Sequence, residues 1–121
     1  MRKLLLLFSH KLTEKQLIDA KETLKCDEII YLPENLKERW QNMDIEENLD
    51  AFKEFLENLT SEGDYVLVQG EWGATYQMIN YCKAKKLIPI YSSTKREVEE
   101  RKEGESIVKL SKFVHRGFVK Y

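Results

Sequence analysis

Apolar and polar positions along the chain alternate between short continuous runs and segments with helical spacing. Lys3–Phe8 is an unbroken apolar run and predicts a buried strand. Thr13 with Gln16 three residues later has the spacing of a capping box. Leu17, Ile18 and Leu24 then supply an inward stripe for a helix. Glu28–Leu32 reads as a second strand stopped by Pro33, and Leu36 with Trp40 marks a short helix from Glu34 to about Met43. Asp44 and Glu47 repeat the capping spacing ahead of Leu49, Phe52, Phe55, Leu56 and Leu59, which recur at helical intervals. Asp64–Gln69 is a third strand, Gly70–Gly73 a turn, and Ala74–Lys86 a helix with Met78, Ile79 and Cys82 inward. Leu87–Tyr91 predicts a fourth strand, with Pro89 suggesting an edge or an irregularity. Charged residues with isolated apolars run from Thr94 to Lys102, and Glu103–Gly104–Glu105 makes a turn. Ser106–Tyr121, rich in Val, Ile and Phe, completes a long β-hairpin.

The order β-α-β-α-β-α-β-β-β predicts a single α/β domain over residues 1–121. Its core is Rossmann-like: a mostly parallel sheet, helices on both faces, and a C-terminal antiparallel hairpin. A chain of 121 residues is the size of one domain. Its 42% apolar content is enough for a core without staples. Cys26 and Cys82 match no CxxC or Cys/His zinc spacing, so a reduced, cytoplasmic compartment and no structural metal are expected. Leu4–Phe8 is too short for a membrane span or a signal peptide.

Net charge is −1 but unevenly placed. Residues 1–84 carry ten Lys/Arg against sixteen Asp/Glu, whereas residues 85–121 carry ten against five. A basic C-terminal third on an acidic body suggests a small polyanionic ligand or self-association, and argues against stable duplex nucleic-acid binding. A solvated, charged hairpin explains the same numbers.

In open α/β sheets ligands bind beyond the carboxyl ends of the strands. That rule selects Ser9–His10–Lys11, Gln69–Thr75 and Ser92–Arg96. Gly70 and Gly73 let the backbone turn, and the N–H groups of the following helix could hold a phosphate; an ordinary strand-to-helix turn is the alternative. The segment is neither GxGxxG nor a P-loop, which disfavours a dinucleotide cofactor. Glu71 is awkward beside an anion, and could bind a ribose hydroxyl, act as a base, or face solvent. Trp72 could stack on a base or cover the core edge. Lys95 and Arg96, next to Ser93 and Thr94, form the sharpest candidate anion grip or else a paired-charge surface. His10 could be a general acid or base, and His115 on the last strand could touch ligand.

Three stretches, LLLLFSHKLT, DYVLVQGEWGATY and IPIYSSTKREVEE, with SKFVHRGFVKY at the end, carry a family resemblance. The chain resembles the small standalone CRISPR-associated proteins of type III systems, relatives of the CARF (CRISPR-associated Rossmann fold) proteins. The likeness runs almost end to end and is weakest over residues 33–60. It implies a CARF-like homodimer that binds a cyclic oligoadenylate messenger, most of all cyclic tetra-adenylate, at its two-fold axis. It further implies a ring nuclease that cuts the messenger without a metal and ends the antiviral signal. A ribose 2′-hydroxyl would attack the neighbouring phosphate in line and leave a 2′,3′-cyclic phosphate. On this resemblance Ser9 and His10 lie under the ring, and Gln69, Gly70, Trp72, Gly73 and Thr75 cradle phosphate and base. Ser93, Thr94, Lys95 and Arg96 grip the scissile phosphate, with Lys95 or Arg96 meeting the developing charge. Glu71 has no assigned role beyond ligand contact. Gly117 departs from the bulkier, more basic end expected of the family. The same residues serve a sensor that binds without turnover, or a domain for another nucleotide or RNA.

Overall fold

The computed structural model describes residues 2–44 and 47–121. Its elements are β1 (Lys3–Leu7), α1 (Glu14–Glu22), β2 (Glu28–Ile30), α2 (Glu34–Gln41), α3 (Asp50–Leu59), β3 (Tyr65–Val68), α4 (Trp72–Ala84), β4 (Ile88–Glu103) and β5 (Ser106–Lys120). They form one sheet of order β2-β1-β3-β4-β5. The first four strands in that order are parallel, and β5 runs antiparallel to β4. The chain is therefore α/β with a mostly parallel sheet and a C-terminal antiparallel pair.

Burial follows from the strand pattern. Leu4–Leu7 and Val66–Val68 are solvent-free because both faces of the sheet are covered. Leu5, Leu7, Val66 and Val68 face α2, α3 and α4, packing on Trp40, Phe52, Leu56, Met78 and Cys82. Leu4, Leu6, Leu67 and Ile90 face α1, with Leu12, Ala20 and Leu24. Among the described residues, only α1 lies on that second face. The reason is handedness: β1 connects leftward to β2, while the later crossovers move rightward, and right-handed connections then fall on opposite faces. The reversal leaves a crevice between the carboxyl ends of β1 and β3, where Leu7 pairs with Val68.

Local signals account for most element ends. Thr13 and Gln16 form the expected capping box, with Gln16 N–H donating to Thr13 Oγ1 (3.3 Å) and Thr13 N–H to Gln16 Oε1 (2.8 Å). Asp44 and Glu47 do not cap α3. They share a turn bond from Glu47 N to Asp44 O (3.1 Å), and α3 starts six residues after Asp44, where Asn48 Oδ1 accepts from Asp50 N. Glu47 instead receives Arg39 Nε at 2.6 Å.

The largest correction concerns the fourth strand. It does not stop at Tyr91 but continues unbroken to Glu103, so Ser92–Arg96 is strand and not a loop. The first arm of the hairpin and the fourth sheet strand are one element, and the sheet has five strands where six were expected. Pro89 sits inside the sheet, between β3 and β5, opposite Val66. Its carbonyl accepts from Tyr121 N, so its missing N–H falls at the last rung of β5, where one fewer donor costs little.

Candidate functional site

The carboxyl rim is built by three chain segments leaving the sheet. β1 ends at Leu7, and Phe8–Leu12 climbs over the rim to the Thr13 cap. Beside it β3 ends at Val68, and Gln69–Glu71 leads into α4. β4 passes the rim without stopping. Its pairing with β3 ends at Ile90, and from there β4 and β5 rise together as a two-stranded ribbon.

Ser9, His10 and the segment Gln69–Thr75 are brought side by side by the Leu7–Val68 pairing. Their roles differ from one another. Gln69 is a structural tie: its carbonyl accepts from Trp40 Nε1 (2.9 Å) and its Oε1 from Ser92 N (2.9 Å). Gly70 is needed for packing, since a Cβ there would lie 2.6 Å from Trp40 Nε1 and 2.8 Å from Cε2. Neither Gly70 nor Gly73 has a positive φ; the glycines that do are Gly63 and Gly104.

Glu71 caps α4. Its carboxylate accepts from Gly73 N (2.9 Å) and Ala74 N (2.8 Å), and these two bonds, Ala74 first, hold its pKa below the ordinary carboxylate value. The N–H groups expected to hold a phosphate are thus occupied by the protein's own anion. Thr75 Oγ1 is buried without a hydrogen-bond partner among the described residues, enclosed rather than presented to the rim. Trp72 is the opposite case, 91% exposed at the first position of α4, with Tyr76 exposed one turn on. An indole in that position covers no core, and is free to stack on a ligand.

On the other bank of β1 lies a pocket of about 170 Å³ lined by Phe8, His10, Lys11, Tyr31, Leu32, Glu34 and Lys37. Phe8 holds the His10 ring edge-on at 5.2 Å, and Lys37 stands 4.0 Å from Glu34. Two lysines, an imidazole and a half-exposed tyrosine suit a small anionic or aromatic group. Tyr31 and Lys37 were not singled out from the sequence. Their signal was weak: one follows the short β2 and the other sits in a generic charged helix, and only the fold brings them to His10.

Ser93, Thr94, Lys95 and Arg96 do not form a grip. Consecutive strand residues point to opposite sides, so Lys95 and Arg96 face away from each other. Arg96 donates from Nε and Nη2 to Ser111 Oγ across the ribbon (3.3 and 3.0 Å). Both lie three to four residues past Ser92, roughly 10–13 Å above the rim at strand rise.

A polar chain at the ribbon's foot also escaped the sequence reading. Gln16 Nε2 donates to Ser92 Oγ (3.2 Å), Ser92 Oγ lies 2.5 Å from His115 Nδ1, and His115 Nε2 lies 2.7 Å from Asp19 Oδ2. Since a carboxylate only accepts, His115 donates from Nε2 to Asp19, and with the ring uncharged Nδ1 accepts a hydrogen bond from the Ser92 hydroxyl. Burial pushes the Asp19 pKa up. Hydrogen bonds from Thr23, His115 and the Phe118 backbone, with the His115 charge, outweigh burial and leave it lowered. The order Ser–His–Asp is that of a nucleophile relay. Ser92, however, is buried and its oxygen already accepts from Gln16, so the chain clasps α1 to β4 and β5. A bulge between Ser93 and Thr94 in the β4–β5 register turns His115 toward α1.

Among the described residues no cluster of three His, Cys, Asp or Glu could hold a metal ion, and no helix is long and apolar enough to cross a membrane. Comparison with known proteins finds no matching solved structure. A curated relative from Methanocaldococcus jannaschii, described as uncharacterized protein MJ1673, is 49% identical over 126 aligned residues, spanning all of this chain and 98% of the relative. The family model described as the uncharacterized protein MJ1673 family matches residues 2–119. With that span and that identity, the chain belongs to the MJ1673 family.

Proposed function

We propose that the carboxyl rim binds a phosphate-bearing nucleotide. The ligand class we infer is a cyclic oligoadenylate, with cyclic tetra-adenylate first, cut by a cytoplasmic, CRISPR-associated ring nuclease of Rossmann-like, CARF-like fold. The observation that carries the nucleotide reading is the pairing of free aromatics with cations around the crevice. Trp72 and Tyr76 stand exposed on one bank, and Tyr31 with His10, Lys11 and Lys37 on the other. The first set suits base faces and the second phosphate oxygens. The ring and its cleavage rest on the sequence resemblance.

In the reaction so read, the 2′-oxygen bonds to the adjacent phosphorus and the P–O5′ bond breaks. The 2′-hydroxyl proton ends on the departing 5′-oxygen. His10 is the rim group suited to carry that proton, and Lys11 and Lys37 offset the developing phosphorane charge. Ser9 borders the same crevice. Lys95 and Arg96 can contribute only singly, since they face opposite sides of the ribbon. A second reading is a sensor that binds without turnover. It is favoured by Glu71, whose carboxylate occupies the α4 N–H groups that would otherwise meet a developing charge.

Incubation with labelled cyclic tetra-adenylate in excess EDTA, with products resolved by chromatography, tests both readings. Linear di-adenylate ending in a 2′,3′-cyclic phosphate, lost in His10→Ala, supports the nuclease. Retention of the intact ring, lost in Lys11→Glu, supports the sensor. Neither binding nor cleavage refutes both.

A further inference from the structure

The β4–β5 ribbon leaves the body as ten cross-strand pairs, from Thr94–His115 to Glu103–Ser106, about 33 Å long at strand rise. From Thr94 to Phe113 every residue is exposed except the half-buried Val108. An isolated two-stranded ribbon is marginal in water, yet this one carries Phe113, Ile107 and Val98 at 72%, 65% and 57% exposure. All three point to the α1 side of the ribbon: Phe113 and Ile107 share strand parity with His115, which is bound to Asp19, and Val98 shares it with Thr94, the residue paired with His115. That face awaits a partner.

We propose that the partner is a second copy of this chain, its ribbon stacked antiparallel on this face about a two-fold axis through Val98. The register makes the face self-complementary. The Val98 rung meets itself. The Arg96–Phe113 rung, two before it, meets the partner's Glu100 and the partner's Lys109, two after it. Arg96 then faces a carboxylate, and Phe113 faces a lysine suited to its ring. The Thr94–His115 rung, four before the axis, meets the partner's Lys102 and the partner's Ile107. At that level the body has a cleft of about 240 Å³ that includes Ile18, Asp19, Glu22 and His115. Ile18 suits the isoleucine, and Asp19 and Glu22 suit the lysine, set against the cleft's own Lys15 and Arg116. Both ends repeat by symmetry, as an isologous contact requires. Ten of the twenty ribbon residues lie on that face, so the ribbon supplies about half of the ~20–30 residues per side of a standard interface and the body cleft must add to it. Nucleic acid is the competing occupant of a basic ribbon. Against it stand Glu97, Glu99, Glu100 and Glu103 on β4, with Lys109 and Lys112 already within 3.8 and 4.0 Å of Glu100 and Glu97. This contact stands whether or not the rim turns over a ring.

Sedimentation or light-scattering mass of the purified, nuclease-treated protein is the test. The expected mass is twice 14.4 kDa. Val98→Glu, which sets two carboxylates against each other at the axis, halves it. Arg96→Glu and Glu100→Arg each halve it, and combining them restores the dimer, because the exchanged charges again oppose. Far-UV circular dichroism and melting of each variant separate loss of contact from loss of fold. A monomeric wild type overturns the proposal. So does a dimer indifferent to all three single changes, or a failure of the combined change to restore the mass. A larger species that collapses to monomer on nuclease treatment overturns it in favour of nucleic acid.

Discussion

Replacing Gly70 by alanine tests whether the Gln69–Gly73 turn is a packing device or a ligand cradle. The added Cβ would sit 2.6 Å from Trp40 Nε1, 2.8 Å from Cε2 and 3.0 Å from Cζ2. The indole has no room to retreat: Trp40 is 2% exposed, lies edge-on to the buried Phe52 ring at 5.3 Å, and donates to Gln69 O. Overpacking of this kind costs about 1–3 kcal/mol. If the ring moves, its N–H loses its acceptor at a further ~1–3 kcal/mol. The sum, roughly 2–6 kcal/mol, lowers Tm by roughly 10 °C or more in a domain of this size. Gly73→Ala is the internal control. Its Cβ meets only the Glu71 carboxylate, whose oxygens lie at 3.2 and 3.3 Å and need give by only a few tenths of an ångström within their cap bonds. Alanine is also the better helix former by about 0.5–1 kcal/mol. Thermal melts followed by circular dichroism should show a large fall for Gly70→Ala and little change for Gly73→Ala. Trp40→Phe, which removes the crowding atoms, should make the double variant with Gly70→Ala less unstable than the sum of the singles. A Gly70→Ala protein that melts with the wild type but loses ligand would refute the packing argument and restore the cradle.

Trp72→Ala should leave stability unchanged, because the ring is almost fully exposed, while weakening nucleotide binding roughly tenfold or more, as read by calorimetry. Asp19→Ala leaves the His115 N–H without its carboxylate and should cost about 1.5–3 kcal/mol near neutral pH by denaturant titration. Because the Asp19 pKa is lowered in the fold, its contribution is present above the ordinary value of 3.8 and fades as pH falls through the folded value. The gap between wild type and variant should therefore close in acid below about pH 4, and a gap constant down to pH 2 would contradict the clasp. Burial raises the Cys26 and Cys82 thiols to about 11 and about 12. Both should resist a thiol reagent at pH 8 in the folded protein and react fully in guanidinium.

The strands of the body were legible because burial on two faces forces continuous apolar runs such as Leu4–Leu7 and Tyr65–Val68. The α1 cap was legible because its signal is local, Thr13 to Gln16. The continuation of β4 was hidden for the converse reason. A ribbon that no other element of its chain covers needs no continuous apolar run, so Lys95–Glu103 reads like any charged loop. At the rim, the awkwardness of Glu71 was visible, but not that it would satisfy its own helix. The reason for Gly70 lies 30 positions back in Trp40, and the clasp joins residues 96 apart, Asp19 and His115. Pairings at such range leave no spacing to find.

That β4 is one uninterrupted strand from core to ribbon tip imposes a rule of parity on the length of the arm. Residues could be removed from or added to the two strands in equal numbers near Gly104 without disturbing Ile90 opposite Lys120 in the sheet. Each single rung gained or lost above a given point, however, turns every later side chain to the other face. For a change between the Arg96–Phe113 and Lys102–Ile107 rungs, only steps of two rungs would keep Phe113 and Ile107 on one side. Relatives whose arms differ in length between those two rungs should therefore differ there by multiples of four residues, unless a compensating bulge resets the count.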